Sequence, residues 1–161
     1  MADLKSGFNQ LFLREEELRR VMELLFFAYR DFAAEPDGLL AKHTLGRAHH
    51  RAIYFVGRYP DISVTELLNI LRITKQSLSR VLSQLVAEEI VVQKPGASDR
   101  RQRRLALTEK GVALEQALTA RQRERFARAF RQAGAEAVEG FRQVLLQLIN
   151  ERDQARFRER S

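Results

Sequence analysis

Residues 63–108 read SVTELLNILRITKQSLSRVLSQLVAEEIVVQKPGASDRRQRRLALT, and the spacing of their apolar positions changes twice, from short helix to longer helix to hairpin. Ser63 and Glu66 form a capping box, in which the serine hydroxyl and the glutamate satisfy orphan N–H groups reciprocally. Leu67, Leu68 and Leu71 follow as a short apolar face. After Arg72 and Ile73 a second start appears at Thr74, a good N-cap residue. Leu78, Val81, Leu82, Leu85 and Val86 then recur at the i, i+3, i+4, i+7, i+8 positions of one buried helical stripe. Residues 90–94 are β-branched and read as a strand. Pro95-Gly96-Ala97-Ser98-Asp99 is turn chemistry, residues 104–107 read as the return strand, and Thr108 caps another helix.

A short helix, a tight turn, an amphipathic helix and a hairpin with a basic tip make a winged helix-turn-helix pattern, and its physics suits DNA. One helix fits the major groove, where its outward side chains reach base edges. With Leu78 turned to the core, Gln76, Arg80, Ser83 and Ala87 lie opposite, flanked by Lys75, Ser77 and Ser79. That face carries no acid, and its long side chains crowd toward the N-terminal half. Residues 72–104 carry a net +5, from Arg72, Lys75, Arg80, Lys94, Arg100, Arg101, Arg103 and Arg104 against Glu88, Glu89 and Asp99, which is most of the chain's +7. Basic charge concentrated on the reading elements is an electrostatic footprint for a polyanion. Phosphate contacts are expected from Arg72, Lys75 and the wing arginines, and base contacts from Gln76, Ser77 and Arg80.

On either side the chain reads as helix. Residues 11–32 carry Leu11, Leu18, Val21, Met22, Leu25, Tyr29 and Phe32 at helical spacing, widened by Leu24, Phe26 and Phe27. Glu35-Pro36-Asp37-Gly38 stops that helix, and a second is expected over residues 44–58. The helix after Thr108 runs toward Phe130 and breaks at Gly134. A last amphipathic helix carries Val138, Phe141, Val144, Leu145, Leu148 and Ile149, and the charged tail from Glu151 is expected to fray.

The 161 residues contain no cysteine, which excludes disulfides, thiol sensing and thiolate zinc sites. Met1-Ala2-Asp3-Leu4-Lys5 lacks the apolar core of a signal peptide. The longest notable apolar run, residues 24–28, falls far short of the roughly 20 residues of a membrane helix. A cytoplasmic protein without membrane contact is therefore expected. No phosphate-cradling glycine loop, His-Glu-x-x-His motif or nucleophile elbow is present, so no enzyme and no cofactor is expected.

The stretch Asp99-Arg100-Arg101-Gln102-Arg103-Arg104-Leu105-Ala106-Leu107-Thr108-Glu109-Lys110-Gly111 resembles the wing signature of the MarR family of regulators. Ile73-Thr74-Lys75-Gln76-Ser77-Leu78-Ser79-Arg80-Val81-Leu82 resembles that family's recognition helix. The resemblance covers about residues 18–148 in helix order and is most specific from Val64 to Gly111. It implies a mainly α fold with a small antiparallel β wing, in a single MarR-like domain over residues 1–161. The winged helix-turn-helix would span about residues 44–108, and dimerisation helices about 8–43 and 109–161. The implied function is sequence-specific transcriptional regulation by a homodimer on a pseudo-palindromic, A·T-rich double-stranded operator. The implied contact set is Arg72, Thr74, Lys75, Gln76, Ser77, Ser79, Arg80, Ser83, Lys94, Asp99, Arg100, Arg101 and Arg103. Arg101 would enter the minor groove, whose narrow A·T form attracts a guanidinium, and Asp99 would fix the wing by pairing with a nearby arginine. The family often has glycine where Glu89 stands; glycine suits a left-handed C-cap, so Glu89 implies a different local turn and wing angle.

The resemblance also implies a small-molecule pocket bordered by Tyr29, His43, His49, His50, Arg51 and Tyr54, suited to a small aromatic or anionic effector. Some family members bind metals, but His49 and His50 are adjacent and point about 100° apart on a helix, so they do not chelate together; no metal site is expected. Two other readings stand beside the regulator: a sequence-indifferent architectural DNA- or RNA-binding protein, and an effector-binding protein that has lost its DNA. Lys75, Gln76, Arg80 and Arg101 argue against the second.

Overall fold

Three carboxylates, Glu15, Glu16 and Glu17, crowd the first turn of helix α1 (Glu15–Ala34), where the positive end of the helix dipole favours them. This is seen in a computed structural model that describes residues 11–158. The expected helix start at Leu11 is instead a 3-10 turn over Leu11–Leu13. Residues 8–10 of the expected dimerisation segment, the Met1–Lys5 stretch and residues 159–161 lie outside the described residues. Pro36 ends α1 as expected but also caps an additional short helix, α2 (Asp37–Lys42). Proline has no N–H to lose at a helix start, so one residue serves both purposes. Helix α3 (Arg47–Arg58) starts later than residue 44, because Thr44 takes a left-handed conformation (φ 56°) that cannot continue into a helix.

The next segment folds as its caps dictate. Strand β1 (Ile62–Ser63) leads into α4 (Val64–Leu71), whose box has Ser63 Oγ accepting from the Glu66 N–H at 3.1 Å and Glu66 Oε2 accepting from the Ser63 N–H at 2.9 Å. Helix α5 (Lys75–Ala87) follows, then strands β2 (Val91–Pro95) and β3 (Arg103–Leu107). The sheet is antiparallel in the order β1-β3-β2, with Ile62 opposite Leu105 and Val91 opposite Leu107. β1 is too short to show an alternating pattern, and it was not among the expected strands. Helices α6 (Glu109–Ala133), α7 (Ala135–Leu148) and α8 (Glu151–Arg158) complete the chain. The tail expected to fray is this last helix; the Gln154 side chain is buried and donates to the Ile149 carbonyl at 3.1 Å.

The chain forms two compact units, one ending at Gln122 and the other beginning at Arg123. In the first, Leu40, Ile53, Leu67, Leu78, Leu85, Ile90, Leu105 and Leu118 are almost wholly buried. They bring α2 to α5, the sheet and the start of α6 onto one core. α1 lies in the same unit yet buries no residue, and eight large apolar side chains from Leu18 to Tyr29 remain exposed. In the second unit, Phe126, Phe130 and Phe141 stack edge to face. Phe141, Val144, Leu145 and Leu148 leave the α7 surface apolar. Gly134 separates α6 from α7 at φ 87°, a conformation a side chain would strain.

Candidate nucleic-acid interface

The outer face of α5 is built from its N-cap. Thr74 Oγ1 accepts from the Ser77 N–H at 3.1 Å and donates its own proton to Ser77 Oγ at 2.9 Å. Arg72, at the turn, is left-handed (φ 51°) and closes α4 through its N–H to the Leu68 carbonyl. Leu78, Val81, Leu82 and Leu85 point inward, as their spacing predicts, while Val86 is exposed. Lys75, Gln76, Ser77, Ser79, Arg80 and Ser83 are therefore all exposed on one acid-free surface with Arg72 and Thr74. From the inner side Gln84 Nε2 donates to the Thr44 carbonyl at 3.1 Å and to Glu88 Oε1 at 2.9 Å, which fixes the helix about its own axis.

The C-terminal end of α5 departs from the sequence expectation. Glu89 itself takes the left-handed conformation at φ 58°, and a full Schellman motif forms around it. The Ile90 N–H reaches the Leu85 carbonyl at 2.9 Å and the Glu89 N–H the Val86 carbonyl at 3.0 Å. Burial of Ile90 beside Leu85 anchors the turn despite the missing glycine. The same end is clasped to the start of α6. Thr108 Oγ1 donates to the Glu89 carbonyl at 2.6 Å, the Thr108 N–H donates to the Ile90 carbonyl at 3.1 Å, and Lys110 Nζ donates to the Glu88 carbonyl at 2.8 Å. Gly111 lets the backbones meet, because a Cβ there would collide with the Ile90 carbonyl oxygen. Thr108 caps α6 as its sequence position predicts, its Oγ1 accepting from the Gly111 N–H at 3.0 Å, whereas Lys110 and Gly111 stand in the wing signature with no role assigned from sequence.

The wing is held by local bonds. Gly96 donates its N–H to the Gln102 carbonyl at 2.6 Å, and a Cβ on Gly96 would lie 2.5 Å from the Asp99 carbonyl oxygen. Asp99 Oδ1 accepts from the backbone N–H of Arg101 at 2.9 Å, so it grips the backbone of the tip and leaves the Arg101 guanidinium outward. The expected pairing with an arginine side chain gives way to this two-residue turn, which is the commoner local bond of an aspartate. Lys94, Arg100, Arg101 and Arg103 are exposed, with Arg103 Nη1 donating to the neutral Gln93 Oε1 at 2.7 Å. Arg104 faces the other way. Its Nη1 reaches the Asp61 carbonyl at 3.2 Å and Glu66 at 3.8 Å, tying the strand to the base of α4.

A cavity of about 340 Å³ lies within the first unit, lined by Tyr29, Phe32 and Ala33 of α1, by Arg47, His50, Arg51, Tyr54 and Phe55 of α3, and by Gln122 of α6. Arg47, His50, Arg51 and Tyr54 occupy i, i+3, i+4 and i+7, one face of α3. His49 falls off that face and instead accepts the Gly46 N–H on Nδ1 at 3.0 Å, and His43 is an exposed residue ending α2. Tyr29, His50, Arg51 and Tyr54 are thus brought together, and His43 and His49 are not. Arg47 could have been found from its spacing; Gln122, which donates to the Phe32 carbonyl at 3.1 Å, is too distant in sequence to signal itself. Arg51 Nη2 donates to Tyr29 Oη at 2.7 Å. Arg47 forks onto Asp37 at 2.8 and 3.0 Å, and this bond chiefly holds the Asp37 carboxyl below its usual value. Burial, and then the charge of Arg51, hold the His50 imidazole below its usual value. Among the described residues no three His, Cys, Asp or Glu side chains group as metal ligands, and no helix is long and apolar enough to cross a membrane.

A family model described as the MarR family matches residues 43–102. The HTH-type transcriptional regulator PetP of Rhodobacter capsulatus is 52% identical over 139 residues, 86% of this chain and 84% of its own. Among solved structures, a MepR mutant from a multidrug-resistant S. aureus isolate superposes with a TM-score of 0.69 at 17% identity, over 80% of this chain and 94% of its own. NadR in complex with 4-hydroxyphenylacetate superposes with a TM-score of 0.67 at 22% identity, over 77% of this chain and 88% of its own. At these identities the two structures speak for the fold.

Proposed function

Because this chain belongs to the MarR family of transcriptional regulators, whose members are not enzymes, we propose that it acts in the cytoplasm as a homodimer that binds a pseudo-palindromic, A·T-rich operator. The observation that carries this reading is the acid-free outer face of α5, together with a wing whose Arg100, Arg101 and Arg103 are exposed. Gln76, Ser77 and Arg80 read base edges in the major groove, while Arg72, Lys75, Lys94, Arg100 and Arg103 hold phosphates. Thr74 caps the reading helix, Ser79 and Ser83 flank its contact surface, and Arg101 enters the minor groove with Asp99 holding its backbone.

A small anionic or aromatic effector occupies the cavity of α1, α3 and α6, and alters the spacing of the two reading heads. The lining supports this: aromatic rings enclose a space within the usual range for small-molecule sites, and Arg51 offers a cation. NadR, of the same fold, is solved with 4-hydroxyphenylacetate. The test is selection of bound sites from random duplex, followed by competition with unrelated duplex. One two-fold motif, resistant to competition, is expected. Equal competition by unrelated duplex would instead identify a sequence-indifferent architectural protein.

A further inference from the structure

We propose that the cavity takes up its anion together with a proton from solvent, and that the His50 imidazole is the group that accepts the proton; this rests on the anionic-effector reading above. The charges facing His50 account for themselves element by element. From α2 comes Asp37, which is spent on Arg47 of α3 through both carboxylate oxygens. From α1 comes the Tyr29 hydroxyl, which accepts from Arg51 at 2.7 Å. Tyr54 on α3 lines the same cavity, and among the lining residues α6 contributes the Gln122 amide, engaged with the Phe32 carbonyl. Among the described residues Arg51 has no carboxylate partner, so it brings its positive charge to the cavity beside the imidazole.

His50 is only 8% exposed, and its Nε2 is buried without a hydrogen-bond partner among the described residues. No fixed bond sets the protonation of that nitrogen. Burial and neighbouring charge set it, and both Arg51 and burial oppose the cation while Asp37 favours it. A carboxylate seated against Arg51 cancels the repulsion and adds an attraction of its own. The imidazole then accepts a proton from the solvent as the anion enters, with no covalent change in either. Binding must tighten as pH falls, because the bound state holds more protons than the free state.

The probe is 4-hydroxyphenylacetate, whose carboxylate stays ionised above about pH 6. Calorimetry in buffers of different ionisation enthalpy is expected to show uptake of up to one proton near neutral pH. The affinity is expected to rise about three- to tenfold from about pH 8 to about pH 6. Histidine NMR of the intact protein, assigned with His50→Gln, should show His50 titrating at higher pH once the probe is bound, and His50→Gln should bind with a flat pH profile. If that variant does not fold, the NMR titration of the unsubstituted protein decides. Binding without proton uptake, or a His50 titration unmoved by the probe, would overturn this inference and leave the effector reading standing. Absence of any binding at millimolar probe would overturn the anionic-effector reading and this inference with it.

Discussion

Glu89 holds a conformation that costs an L-residue about 1–2 kcal/mol and glycine nearly nothing. Nothing in its surroundings demands the carboxylate, since the surrounding bonds use its backbone N–H and carbonyl. Glu89→Gly should therefore stabilise the fold by about 1 kcal/mol, visible as a higher urea midpoint with an unchanged slope. A midpoint that fell would mean that the side chain supports the turn. His50 makes a second residue-level prediction. Its folded imidazole titrates below the ordinary 6.5 because of burial and Arg51. The unfolded chain then binds more protons between those two values, so stability rises with pH through that window and is lost below it. Stability curves of the empty protein between about pH 5 and about pH 8 should show this slope, and His50→Gln should reduce it.

The elements proposed to read DNA are a rigid helix and a short, self-tied hairpin. α5 is capped at Thr74, turned by Gln84 and clasped beyond Glu88, so its outward side chains keep a fixed register. Gln76→Ala should relax preference at one base position per half-site, at about 1–3 kcal/mol for a lost bidentate contact. Equal weakening on every sequence would assign Gln76 to the backbone. In the wing, Asp99 holds the Arg101 backbone while Arg103 lies down the strand against Gln93. Arg101→Ala should cost more affinity on an operator with A·T flanks than on one with G·C flanks, and Asp99→Ala should reproduce part of that loss. Arg103→Ala should weaken both alike and lower the salt slope by about one unit. Tighter binding by Asp99→Ala on both operators would reduce the wing to charge attraction. Most of this was legible, because capping boxes, helical stripes and a Pro-Gly turn are local signals. α2 and β1 were not legible, being six and two residues long and held by packing on the core. The left-handed Glu89 escaped because burial of Ile90 outweighs local propensity. Gln122 reached the cavity only through the fold.

At the scale of the molecule, α1 is the anomaly: a helix of 20 residues that buries none of them. Apolar surface of that extent on Leu18, Val21, Met22, Leu25 and Phe26 marks an interface. Light scattering at micromolar concentration should give about twice the chain mass of 18.6 kDa. A value of one chain mass would sink the dimer. Leu25→Lys should shift the population toward single chains and weaken operator binding with them. The same uncovered helix has a genetic consequence. It lies in a part of the sequence separate from α5, so a chain with a crippled reading face, such as Arg80→Ala, still offers an intact α1 to its sisters. If the chain pairs through α1 as proposed, defective chains in a cell carrying both alleles would sequester sound ones in mixed pairs that grip half an operator. Lesions in α5 would then be dominant over the normal allele, whereas lesions in α1, which remove a chain from the exchange altogether, would be recessive.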